Sequence, residues 1–185
     1  GGIGKMADAL SGSDAILLHN GDILSDLAYE SALAVHGARG ALVTLILVPR
    51  GPRANVAVNG RGEVTVIGDD AGTHGSAARL LGYTGLAVLA PESLAFFPRG
   101  RKSGLLAVLR EMMRTKPGSV LGWNAAPGRA PYAWGETGSA AGYLAVHRNI
   151  LVSKARFDPA LEPPPLPLHA GDGAVVEPGA VWKGF

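Results

Sequence analysis

One segment constrains this chain more than any other: Asp14-Ala-Ile-Leu-Leu-His-Asn-Gly-Asp22, an apolar run that stops on a turn and a carboxylate. Ala15 to Leu18 are apolar at successive positions, which predicts a central strand covered by helices on both faces. Asn20-Gly21 then ends the strand, so Asp22 is expected at the carboxyl end of a sheet, where α/β folds bind their ligands. Taken alone, Asn-Gly-Asp is also ordinary turn punctuation, and that reading stands beside the functional one.

The 185 residues, 47% of them hydrophobic, suffice for one domain with a short appendage. Seventeen basic against fifteen acidic residues leave a net charge of +2, too small an imbalance to point to nucleic acid. The absence of cysteine excludes disulfides and thiolate-zinc sites and suits a cytoplasmic protein. The longest apolar stretch, Ala41 to Val48, is interrupted by Thr44 and falls far short of the roughly 18 residues of a membrane helix, so no membrane partner is expected.

Ser25 is a candidate cap for a helix to about His36, ended by Gly37 and Gly40. Ala41 to Val48 reads as a strand, and Asn55 to Val58 with Glu63 to Ile67 as a hairpin around Asn59-Gly60. Asp69 to Ala78 is polar and glycine-rich, the composition of a surface loop. Gly82 to Leu89 reads as a buried strand, followed by a short helix from Pro91 to Phe96. Leu105, Val108, Leu109, Met112 and Met113 have helical spacing, with Ser103 as cap and Pro117-Gly118 as stop. Val120 to Asn124 and Tyr132 to Trp134 suggest short strands. A helix from about Ala140 to Lys154, capped by Ser139, would carry Tyr143, His147, Ile150 and Leu151 on one face. The expected division is an α/β domain over 1–157, a Pro-rich linker over 158–168, and from 169 to 185 the first hexapeptide of a left-handed β-helix, Val176-Glu-Pro-Gly-Ala180-Val181.

Five segments in order resemble the sugar-phosphate nucleotidyltransferases. Gly1-Gly2-Ile3-Gly4 with Asn20-Gly21-Asp22 is similar to the family's GG(G)…VNGD. His36-Gly37 and an Ala-x-Val-Thr-Leu-like strand follow, then a hairpin like the family's G-x-V strand. Tyr83-Thr84-Gly85-Leu86, Val88-Leu89 and Pro91-Glu92 resemble (F/Y)TG(I/L)xVLxPE. Trp134-Gly-Glu136-Thr-Gly138-Ser, Tyr143-Leu144 and His147-Arg148 resemble W-x-D-x-G-T…YL…H(R). The resemblance implies a Rossmann-like, mixed but mostly parallel sheet flanked by helices.

It also implies a reaction: a nucleoside triphosphate and a sugar 1-phosphate give a nucleotide sugar and pyrophosphate, with mannose 1-phosphate and GTP the preferred pair. By the same resemblance Asp22 is catalytic and, with Glu136, a ligand of Mg²⁺. Gly1 and Gly2 lie beside the nucleotide, and Asn20, Gly21, Thr84 and Gly85 beside the sugar. Charge builds on phosphoryl oxygens in such a transfer, so positioning and electrostatic stabilisation are the protein's task.

The sequence departs from the family pattern at three points. Glu136 stands where the family has Asp, the Glu-Lys-Pro segment has no counterpart between Ile67 and Gly82, and the GxGxR triphosphate loop is not found. These departures predict a piece of a nucleotidyltransferase domain, inactive alone, that associates through its β-helix or a complementary segment. They also keep open a noncatalytic relative that binds nucleotide sugars, and a plain assembly domain. His19, His36 and His147 read as packing or capping residues, since no carboxylate is spaced to orient them. His74 has no second ligand near it in sequence. Lys5 reads as an exposed lysine at a helix start, and Met112 and Met113 as core filler.

Overall fold

The computed structural model describes residues 2–27, 29–49, 54–68, 71, 78–125 and 133–151. Gly1, the Pro-rich linker and the expected β-helix start lie outside the described residues. In chain order the elements are α1 (Gly2–Leu10), β1 (Ile16–His19), β2 (Ile23–Ser25), α2 (Tyr29–Arg39), β3 (Val43–Val48), β4 (Ala54–Val58), β5 (Val64–Ile67) and β6 (Arg79–Leu89). A 3-10 helix (Pro91–Phe96), α3 (Leu105–Thr115), β7 (Val120–Asn124), β8 (Trp134–Glu136) and α4 (Ala140–Leu151) complete the order. They form two units, residues 1–21 with 28–130, and residues 22–27 with 131–185.

In the first unit β6 is the organising strand. It pairs antiparallel with β1, β3 and β4, and β4 pairs antiparallel with β5. Among the described residues only β3 and β7 run parallel. The sheet is therefore mixed and mostly antiparallel, which corrects the mostly parallel expectation. The reason lies in the connections: parallel neighbours need long crossovers, whereas β4 turns straight into β5 through Asn59 to Gly62. Asn59 closes that turn by accepting from Arg61 N and Glu63 N, and Gly62 takes φ +82°.

β3 is buried at all six positions, as its unbroken apolar run dictates. Val108, Leu109 and Met112 of α3 join Val43, Leu45, Leu47 and Leu89 in one core. Truncating a side chain such as Leu109 to alanine would cost about 2–5 kcal/mol.

β1 is less covered than expected. Ile16 is 8% exposed but Leu17 is 45% exposed, so the strand is half-buried and not covered on both faces. Its only strand partner among the described residues is β6, leaving its other edge open. An apolar run of four residues cannot by itself separate a central strand from an edge strand.

Several boundaries also move. Ser25 ends β2 and accepts from Leu27 N at 3.1 Å, so it does not cap α2. Gly37 lies inside α2, and Gly40, at φ +59°, ends the helix with its N–H on the His36 carbonyl. Gly104, not Ser103, occupies the cap position of α3. The glycine-rich start is helical: Gly4 of α1 packs against the backbone of Pro98, where any β-carbon would overlap the Pro98 carbonyl oxygen. Lys5 is exposed on this helix.

In the second unit β2 and β8 form an antiparallel pair, Ile23 opposite Glu136 and Ser25 opposite Trp134. Asp26 pins its end: its N–H donates to the Ala133 carbonyl at 3.0 Å, and its Oδ1 accepts from Ala133 N at 2.8 Å. Ser139 caps α4 as expected, its Oγ accepting from Gly142 N at 3.1 Å while its carbonyl takes the first helical bond from Tyr143 N. Val146 of α4 is buried, and Tyr143 and His147 stack on each other in exposed positions. Among the described residues no helix is long and apolar enough to cross a membrane.

Candidate functional site

Asp22 and Glu136 meet within the second unit. The β2–β8 register sets Ile23, the residue after Asp22, opposite Glu136. Thr137 then holds the Asp22 backbone from both its donors, N at 2.7 Å and Oγ1 at 3.1 Å from the Asp22 carbonyl. The two carboxylates approach the space above Gly138. A β-carbon at residue 138 would sit 2.8 Å from Asp22 Oδ2 and 3.6 Å from Glu136 Oε1.

Two carboxylates over a cradle that a β-carbon would fill suit a hard divalent cation. Mg²⁺ is commonly held by one or two carboxylates, with water and phosphate oxygens supplying its other positions. Oxygen-only donors select Mg²⁺ or Mn²⁺ over softer metals. No group of three or more His, Asp or Glu side chains with metal-binding placement occurs among the described residues.

The Tyr83-Thr84-Gly85 segment has its own local structure in the first unit. Leu45 pairs with Ala87 and Leu47 with Tyr83, so one residue of β3, Ile46, faces three of β6. Thr84 to Leu86 therefore form a bulge, and Gly85 takes φ +84°, a conformation that glycine adopts without strain. Thr84 is 1% exposed and donates its hydroxyl to the Ile46 carbonyl at 2.7 Å, closing the bulge from inside. Asn20 joins the same place, its N–H donating to the Gly85 carbonyl at 3.0 Å. Asn20, Thr84 and Gly85 are thus together, with Gly21 following Asn20 in an exposed turn. Gly2, expected beside the nucleotide, is exposed in α1 with open space beside it.

His36 is buried in the first unit, and its Nδ1 shares a 2.9 Å hydrogen bond with Thr44 Oγ1. Burial lowers its pKa, opposed in part by the nearby Glu92 carboxylate. It is a core histidine, as its sequence context suggested. The Tyr83 hydroxyl is buried without a hydrogen-bond partner among the described residues, and burial raises its pKa.

Sequence reasoning gave no role to Thr137, Gly138 or Asp26. The first two stand in the quoted Trp-Gly-Glu-Thr-Gly-Ser segment, where a glycine two residues beyond the acid was the available signal.

No protein-family model matches the sequence, and no curated protein sequence matches it. Solved structures do match. A Bacillus anthracis protein described as a glucose-1-phosphate thymidylyltransferase, solved with a sucrose, aligns at a TM-score of 0.57 and 9% identity over 78% of this chain and 57% of its own. HddC from Yersinia pseudotuberculosis complexed with GMP-PN aligns at 0.54 and 14%, over 79% and 60%. The inositol-1-phosphate CTP transferase of T. maritima aligns at 0.52 and 15%, over 74% and 54%.

The fold is that of the sugar-phosphate nucleotidyltransferases. With that nucleotidyltransferase fold the chain spans between about half and two-thirds of the length of the three matched structures. At these identities the likeness concerns the fold alone.

Proposed function

We propose that the protein transfers a nucleotidyl group from a nucleoside triphosphate to a sugar 1-phosphate, releasing pyrophosphate, with GTP and mannose 1-phosphate the preferred pair. One observation supports the reading: the Asp22 and Glu136 carboxylates both lie within 4 Å of the place a β-carbon of residue 138 would take. The named activities of the Bacillus anthracis and T. maritima structures support the reaction class.

In this reading Asp22 and Glu136 hold Mg²⁺, which when bound supplies Lewis-acid stabilisation to phosphoryl oxygens. Thr137 fixes the Asp22 backbone so that its carboxylate is presented without reorganisation. Asn20, Gly21, Thr84 and Gly85 are assigned to the sugar. The bulge supports that assignment, since bulges recur beside active sites, although Gly85 itself is buried and its carbonyl is held by Asn20 N. Thr84, whose hydroxyl is committed to Ile46, would act by shaping the bulge.

The test is a substrate panel. The natural gene product is incubated with each nucleoside triphosphate, several sugar 1-phosphates and Mg²⁺, and phosphorus NMR follows nucleotide sugar and pyrophosphate. Formation of both, fastest with GTP and mannose 1-phosphate, is the expected result. Binding of nucleotide sugar without turnover would replace this reading with the noncatalytic relative, which draws on Glu136 in place of Asp and on the missing Glu-Lys-Pro segment.

A further inference from the structure

We infer that Gly138 is a positioning residue for the cation: its missing side chain keeps open the volume between the two carboxylates, and a single methyl group there displaces the ion. The inference rests on the reading of Asp22 and Glu136 as the metal pair.

Two explanations for a glycine at this position can be separated. A glycine is required by the backbone where φ is positive, as at Gly40, Gly62, Gly68, Gly85, Gly100 and Gly118. Gly138 is not among these, so its backbone tolerates a side chain. The three atoms nearest to an added β-carbon are Asp22 Oδ2 at 2.8 Å, Glu136 Oε1 at 3.6 Å and Asp22 Cγ at 3.7 Å. All three belong to carboxylates of exposed residues. An alanine must push the Asp22 carboxylate aside, and the far end of an exposed side chain gives way without disturbing the fold.

Gly142 provides the contrast. Its added β-carbon would overlap the Glu136 carbonyl oxygen, a backbone atom that cannot turn away. The one glycine therefore serves packing and the other serves the carboxylates. Mg²⁺ demands a near-ideal octahedron at roughly 2.0–2.1 Å, so a methyl group beside two of its donors both shifts a ligand and excludes a water. Losses of about 10- to 100-fold in metal affinity are typical when the support of a ligand is disturbed.

The experiment measures Mn²⁺ binding by electron paramagnetic resonance on the 185-residue chain, with circular dichroism and thermal melting on each protein. Wild type, Asp22→Asn, Gly138→Ala and Gly12→Ala are compared, the last adding a methyl into open space. The expected result is loss of binding in Asp22→Asn, at least roughly tenfold weaker binding in Gly138→Ala with an unchanged fold, and wild-type binding in Gly12→Ala. Wild-type affinity in Gly138→Ala, with binding lost in Asp22→Asn, overturns this inference and leaves the metal pair standing. No Mn²⁺ binding by wild type, or none lost in Asp22→Asn, overturns the metal pair and this inference with it. Unfolding of Gly138→Ala counts against the inference unless the Asp22→Ala/Gly138→Ala double variant folds and binds no more weakly than Asp22→Ala alone.

Discussion

Thr137 donates to the Asp22 carbonyl twice, from its backbone N at 2.7 Å and from its Oγ1 at 3.1 Å. The backbone bond lies just beyond the β2–β8 pair and is open to any residue except proline at position 137. The hydroxyl bond is specific to threonine or serine. It adds a second restraint to the residue whose carboxylate is proposed to bind the cation.

Thr137→Val keeps the shape and the backbone bond while removing the hydroxyl. An exposed neutral hydrogen bond contributes about 0.5–1.5 kcal/mol, so the fold should survive. Mn²⁺ affinity should fall about threefold, and Thr137→Ser should restore it. Calorimetric titration of the three proteins checks this, and equal affinities would show that the hydroxyl has no part in presenting Asp22.

Gly142→Ala should destabilise the protein by about 1–3 kcal/mol, because the added methyl meets the Glu136 backbone carbonyl and α4 must move to accommodate it. Urea denaturation followed by circular dichroism reads this out. Stability equal to wild type would mean that α4 and β8 are packed less tightly than described.

His36 makes stability depend on pH in one direction. Its folded pKa lies below the ordinary 6.5, with burial as the main cause. The unfolded chain therefore binds the proton more readily. The stability contributed by neutral His36 is complete above pH 6.5 and is lost as pH falls from there through the lower folded value. His36→Gln can still bond to Thr44 and cannot titrate. Urea denaturation at about pH 7.5 and about pH 5.5 should show a smaller loss for this variant than for wild type. Identical losses would assign the acid sensitivity to other groups.

Much of the local structure was legible in the sequence. Spacing gave α3, the β4–β5 hairpin and the Ser139 cap, because each is fixed by side chains within one or two turns of chain. Asp22 and Glu136 were paired only through the resemblance, and their meeting depends on the β2–β8 register, which joins residues more than a hundred positions apart. Leu17 shows why strand environment was not legible: four apolar residues read the same whether the strand is central or at an edge. The bulge at Thr84 to Leu86 was hidden for a related reason, since it exists only against Ile46 of another strand. Gly138 and Gly142 look alike in sequence and differ only in what surrounds them.

In the proposed function Asp22, with Glu136, holds the cation for nucleotidyl transfer. The most direct test is Mg²⁺-dependent pyrophosphate release from GTP and mannose 1-phosphate by the natural gene product, its Asp22→Asn variant and its Glu136→Gln variant. Asp22→Asn should lose at least roughly 100-fold in turnover while folding normally, and Glu136→Gln should lose less and need more Mg²⁺. Near-wild-type turnover by Asp22→Asn at the same Mg²⁺ concentration would contradict it.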